Sequence, residues 1–202
     1  MTGVPDTALP VDDLAAWRKQ TRADLIERRL AAGAADRQRW GQAIARHLGQ
    51  VLPISDARVI GFCWPYKGEP DVLPVVRRWI EGGGLAALPV VLQPRSPMIF
   101  RRWAPDVAMT VGVYDIPIPR DTESLRPDIL LIPLTGFDDA GYRLGYGGGF
   151  FDRTVVTLNP RPLMIGIGFE LSRLPSIRPQ PHDQPVNLIV TEAGVCRFRH
   201  SA

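Results

Sequence analysis

The chain has 202 residues, with 24 Lys plus Arg against 21 Asp plus Glu, a formal charge of +3 and a sequence pI near 9.2. With 45% hydrophobic and 22% charged residues it lies inside the globular range, which excludes a disordered chain, and the length suits one domain with a sizeable core. Two cysteines, Cys63 and Cys196, exclude a disulfide scaffold, and so small a net charge argues against a nucleic-acid binder.

Residues 1 to 11 are polar with two prolines and read as a loose tail ahead of a single domain over 12 to 202. Asp6, Asp12, Asp13, Arg18, Lys19 and Arg22 interrupt the first thirty residues, so no cleavable signal peptide is expected. No apolar run reaches the roughly 20 residues of a spanning helix, and a cytoplasmic protein without membrane contact is the expectation. From Asp12 or Asp13 the apolar positions Leu14, Trp17, Leu25, Ile26 and Leu30 predict a helix whose other, solvated face carries Arg18, Lys19, Arg22, Arg28 and Arg29. A second helix runs through Trp40, Ile44 and Leu48 and stops before Pro53.

Strands are then expected over 57 to 64, 85 to 92 and 98 to 103, with a helix through Val72, Val76 and Ile80 closed by the glycines Gly82 to Gly84. Asp128 to Pro133 is a continuous apolar run, as in a sheet covered on both faces. A glycine-rich loop, a helix over 150 to 158 and strands over 163 to 168 and 186 to 191 complete the set. Strands alternating with helices imply an α/β fold, a three-layer α/β/α single domain with a largely parallel central sheet. Residues 104 to 127 and 169 to 185 are Pro-rich and irregular, as binding loops are.

The densest chemistry lies in Arg143-Leu144-Gly145-Tyr146-Gly147-Gly148-Gly149-Phe150-Phe151-Asp152. Glycines between a strand and a helix N-terminus bring backbone N–H groups to one point, an anion cradle to which Arg143 could add a bidentate contact. Asp152 could hold a metal counterion, or simply compensate the helix dipole. The loop has no lysine for a P-loop and Phe150 where a dinucleotide fingerprint needs glycine, so neither standard phosphate motif fits. A tight turn that needs positive φ would select the same glycines, and the residues alone leave both readings open. Cys63 and Cys196 lack ligand spacing, so no zinc site is expected.

Taken together, Asp128-Ile-Leu-Leu-Ile-Pro133, Phe137-Asp138, Gly141 and the segment from Arg143 to Asp152 resemble the 5-formyltetrahydrofolate cyclo-ligases, also called 5,10-methenyltetrahydrofolate synthetases. The resemblance extends over about 17 to 195, with Ile60 to Pro65 and Glu69, Met98 to Trp103, and His182-Asp183-x-Pro185 in the family's order. It implies a ligase that uses ATP and Mg²⁺ to cyclise 5-formyltetrahydrofolate, with phosphorylation of the formyl oxygen. It implies a nucleotide site from Arg18, Lys19, Arg22 and the loop from Arg143 to Phe151, with Arg143 and Tyr146 catalytic. It further implies a folate site from Trp64, Glu69, Trp103 and Tyr146, and metal ligation by Asp152 and Asp183. His182 is read as structural and Asp138 as a turn cap, and a monomer with a small-molecule substrate is expected. A non-catalytic nucleotide- or RNA-binding relative, or an enzyme of another substrate, is the rival reading.

Overall fold

The computed structural model describes residues 11–52 and 59–199. Most of the expected tail, and the first two residues of the expected first strand, lie outside the described residues. Two long helices, α1 (Val11–Ala31) and α2 (Ala34–Val51), precede strand β1 (Val59–Phe62) and helix α3 (Leu73–Glu81). Pro74 sits in the first turn of α3, where its missing N–H costs nothing, and Gly82 closes the helix. Strands β2 (Leu85–Val90), β3 (Ile99–Trp103), β4 (Met109–Val111) and β5 (Pro117–Pro119) follow. The second half holds β6 (Ile129–Pro133), β7 (Gly136–Phe137), β8 (Arg143–Leu144), α4 (Phe150–Val155), β9 (Leu163–Ile167), β10 (Leu188–Thr191) and β11 (Gly194–Arg197).

Seven strands form the central sheet in the order β11-β10-β9-β6-β1-β2-β3. Pairings are parallel from β10 through to β2, and the two edge strands β11 and β3 run antiparallel. Chain order departs in opposite directions from β1 and β6, so the switch point of this sheet lies between those two strands, where open α/β sheets bind ligands beyond the strands' carboxyl ends.

The apolar run in β6 is continuous because both faces are covered: Ile129 and Leu131 join one core, Leu130 and Ile132 the other. Ile44 and Leu48 of α2 and Val75 and Val76 of α3 fill the first core, and Trp40 packs on Phe169 at 5.3 Å between centroids. The second core is closed by Val155 of α4 with Phe137, Val186 and Phe198 from loops. That layer is thin, because α4 is six residues long and ends before the expected position 158.

The first helix departs from its expected orientation. Arg29 is 1% exposed while Leu30 is 51% exposed, and Leu25, at 2%, lies on the same inward stripe as Arg18, Arg22 and Arg29. This stripe meets carbonyls and a carboxylate rather than a hydrocarbon layer, so donors, not methyl groups, are what it requires. The partners lie in segments that leave the carboxyl ends of β6 and β9, so α1 caps the switch-point end of the sheet.

Candidate active site

Two loops rise from the switch point, one after β1 (63–70) and one after β6 (134–149). The second begins as the small β7–β8 hairpin. Asp138, 3% exposed, organises its tip: Oδ1 accepts from the Ala140 and Tyr142 N–H groups, and Oδ2 accepts from Ile177 N–H at 3.0 Å. It is a turn cap, as expected, and also ties the hairpin to the 169–185 segment. Arg143 and Leu144 are buried in β8, and the Gly145 carbonyl accepts from Arg22 Nε at 2.8 Å. Gly147 and Gly149 then have φ of +93° and +61°, left-handed values that the turn requires. A Cβ on Gly149 would stand 2.9 Å from Arg153 Nη1.

Gly148 and Gly149 form a wall between two cavities. The first, about 360 Å³, is lined by Trp64, Tyr66, Glu69, Met98, Pro133, Tyr146, Phe150 and Phe151, and is covered by Tyr114, Ile116 and Pro117 of the β4–β5 hairpin. Its one carboxylate is held from two sides: Tyr146 Oη donates to Glu69 Oε1 at 2.6 Å and Tyr66 N–H donates to Oε2 at 3.1 Å. Burial pushes the Glu69 carboxyl above the ordinary range, against the lowering effect of the Tyr146 hydrogen bond and the Arg29 charge. Burial and the Glu69 charge likewise push the Tyr146 phenol up, so it stays protonated. Trp103 corrects the sequence reading. It is 4% exposed, edge-on to Phe62 at 5.2 Å and 6.2 Å from Trp64, and it packs in the core behind the cavity rather than in its wall.

The second cavity, about 530 Å³, is lined by Arg18, the three glycines Gly147 to Gly149, Asp152, Arg153, His182, Asp183 and Gln184. Arg18 Nη2 pairs with Asp183 Oδ2 at 2.6 Å, and Gln180 N–H donates to the same oxygen at 2.7 Å. Burial pushes the Asp183 carboxyl up, but the bonds from Arg18 and Gln180 outweigh it and leave it below the ordinary range. Burial lowers the Arg22 guanidinium, as does its neighbour Arg18. Lys19, expected beside them, is exposed on the flank of α1, because one residue along a helix turns the side chain by about 100°.

Arg143 also corrects the sequence reading. Its side chain is 5% exposed, Nη1 donates to the Gln184 carbonyl, Nη2 pairs with Asp152 Oδ1 at 3.0 Å, and it lines neither cavity. In the structure it holds Asp152 and the 184 backbone in place. His182, read as structural, stands exposed at the rim of the polar cavity with Nε2 3.7 Å from Asp183 Oδ1. Among the described residues no cluster of three or more His, Cys, Asp or Glu could hold a metal. Asp152 and Asp183 remain as two carboxylates on one polar wall, a sufficient protein share for Mg²⁺, which usually keeps waters and phosphate oxygens as its other ligands.

In the sequence reading Tyr66, Lys67, Tyr114 and Arg153 have no role, Met98 is only part of a strand, and Arg29 stands on a solvated helix face. Tyr66 and Lys67 precede Glu69 in a stretch whose Gly68 and Pro70 are a local turn signal, and Tyr114 lies in the irregular 104–127 segment, read as a binding loop.

The profile of the 5-formyltetrahydrofolate cyclo-ligase family matches residues 14–192. The chain belongs to that family. The 5-formyltetrahydrofolate cyclo-ligase of Escherichia coli K12 is 28% identical over 177 residues, covering 84% of this chain and 97% of the relative. The cyclo-ligase of Mycolicibacterium smegmatis is 27% identical over 192 residues, covering 90% and 97%. The solved 5,10-methenyltetrahydrofolate synthetase of Aquifex aeolicus superposes with a TM-score of 0.77 at 26% identity, covering 92% of this chain and 94% of that one. The cyclo-ligase match thus spans α1, both cavities and the strands up to the end of β10.

Proposed function

We infer that the chain catalyses the ATP-dependent cyclisation of 5-formyltetrahydrofolate to 5,10-methenyltetrahydrofolate, releasing ADP and phosphate. One observation carries this reading: a single glycine wall separates an aromatic cavity with one carboxylate from a polar cavity with arginines. A flat bicyclic ring with N–H donors suits the first, and a polyphosphate suits the second. Their reacting ends would then meet at the edge of that wall, beside Gly148 and Gly149.

In this reading Trp64 and the ring of Tyr146 contact the pterin, and Glu69 accepts from its N–H edge. The N–H groups of Gly147 to Gly149 and the guanidinium groups of Arg18 and Arg153 receive the phosphates. Mg²⁺, when bound, neutralises phosphate charge, and Asp152 and Asp183 would hold it. Arg18 and Asp183 neutralise each other in the ligand-free protein. A nucleotide with its cation gives each a new partner, so the exchange leaves no buried charge uncompensated. Phosphoryl transfer from ATP to the formyl oxygen asks the protein mainly for alignment and charge neutralisation, after which N10 closes the ring and phosphate leaves. No covalent nucleophile is required.

Among the described residues no helix is long and apolar enough to cross a membrane. A monomeric cytoplasmic enzyme without a nucleic-acid partner completes the reading. The test is the rise of methenyl-folate absorbance on mixing the protein with 5-formyltetrahydrofolate, Mg²⁺ and ATP. An ATP-dependent rise is expected; ATP binding without any rise overturns the substrate assignment.

A further inference from the structure

Arg29 is the largest fully buried polar side chain of the described residues, and its three donating nitrogens go to three different segments. Nε donates to the Lys67 carbonyl at 3.0 Å, Nη1 to the Leu134 carbonyl at 3.3 Å and Nη2 to Tyr146 Oη at 2.9 Å. The loop after β1, the exit of β6 and the glycine loop are thereby tied to one point on α1. All three acceptors are uncharged, an unusual choice for a buried cation, since a charge without a counterion is costly to bury.

The polarity of this chain of bonds is fixed by chemistry. Arginine only donates, so Tyr146 spends a lone pair on Arg29 and its single proton is left for Glu69 Oε1. The positive charge therefore acts on the Glu69 carboxylate, to which the Tyr146 phenol links it. Glu69 is the one acid in the wall of the aromatic cavity. The groups facing it are Arg29 from α1, Tyr146 from the glycine loop, and Cys63, Tyr66 and Lys67 from the β1 exit. Cys63 adds no charge, because burial and Glu69 both push its thiol up.

We propose that Arg29 is a positioning residue of the folate side, which orients the Tyr146 hydroxyl and keeps the Glu69 carboxylate ionised and turned toward the N–H edge of the bound ring. The inference rests on the folate reading above and makes a separate claim about Glu69 that does not need turnover. Arg29 touches no substrate in this account. It acts through Tyr146, and a merely structural arginine would support the same three loops without affecting Glu69.

The experiment uses Arg29→Met, Arg29→Lys and Tyr146→Phe in the full chain. Tyr146 is 42% exposed, so Tyr146→Phe removes the middle of the relay with little risk to the fold. The Glu69 titration is followed by carboxyl ¹³C chemical shift in glutamate-labelled protein, with Glu69→Gln assigning the signal. Its midpoint is expected to rise by about one pH unit in Arg29→Met and in Tyr146→Phe, and to return toward wild type in Arg29→Lys. The acid limb of kcat/KM for 5-formyltetrahydrofolate should move with it, while KM for ATP stays within about twofold. An unchanged Glu69 midpoint in folded Arg29→Met, or in Tyr146→Phe should Arg29→Met fail to fold, overturns the proposal. A wild-type protein without methenyl-folate formation would instead overturn the function, with the titration still deciding the role of Arg29.

Discussion

On the aromatic side of Gly148 and Gly149 one acid stands in an apolar wall, with its charge opposed by burial. On the polar side every acid already has an arginine: Asp183 has Arg18, and Asp152 has Arg143. The first arrangement holds one acid between two uncharged donors, the Tyr146 hydroxyl and the Tyr66 N–H, and in the proposed reading its remaining lone pairs face the ligand. The second holds its charges in mutual neutralisation until a stronger anion arrives. A site that must take a ring and a polyphosphate at once is served by this division, because neither cavity offers the other ligand a comparable partner.

The largest effect should come from breaking the polar side from beneath. Arg143→Ala leaves Asp152 without its buried partner and should cost about 3 kcal/mol of stability as well as activity, read by denaturant unfolding. Arg18→Ala, on a less enclosed pair, should raise KM for ATP about tenfold with a smaller loss of stability. If both variants lose only stability, the polar cavity is not a phosphate site.

Glu69→Gln tests the aromatic side. KM for 5-formyltetrahydrofolate should rise by about tenfold with KM for ATP nearly unchanged, since glutamine keeps only one, uncharged, acceptor oxygen and puts an NH₂ donor where the other stood, a loss of about 1–2 kcal/mol. Equal effects on both constants would erase the contrast between the cavities. The two acids should also respond oppositely to pH. Glu69 is raised by burial, so its contribution favours the fold at low pH and is lost as pH rises through the raised value. Asp183 ends below its ordinary range, so its contribution is present above that range and is lost as pH falls through the lowered value. Thermal melts against pH should therefore show Glu69→Gln gaining relative stability at neutral pH and Asp183→Asn losing it.

Smaller effects are expected at the wall and outside it. Gly149→Ala forces a side chain into φ +61° and against Arg153, and should cost about 1–2 kcal/mol while weakening both ligands. Lys19→Ala, on the exposed face of α1, should leave both KM values within about twofold by steady-state kinetics.

The sheet was readable because its signals are local. The apolar run of β6, the proline at the start of α3 and the glycines after it each mark an element without reference to the rest of the chain. The β4–β5 hairpin was not, since its strands are three residues long and β5 carries two prolines. The glycine loop stands between a strand and a helix as expected, yet the placement of its arginine was not readable: Arg143 faces inward and Arg153, beyond the loop, lines the cavity. Which way a short strand turns its arginine depends on a carboxylate nine residues later and a carbonyl forty-one residues later, and neither is visible as spacing. For α1 the apolar stripe misled for a different reason. Amphipathic reading assumes a hydrocarbon partner, and here the partner is a rim of backbone oxygens.

That rim has a consequence for how the protein comes into being. Arg18 finds its carboxylate 165 residues further on, Arg22 its carbonyl 123 further on and Arg29 its phenol 117 further on. During synthesis α1 emerges ahead of all these partners, which arrive in the order Leu134, Gly145, Tyr146 and, last, Asp183. Only then can the full set of α1 contacts form, and the polar cavity, which Arg18 lines, has its complete wall no earlier.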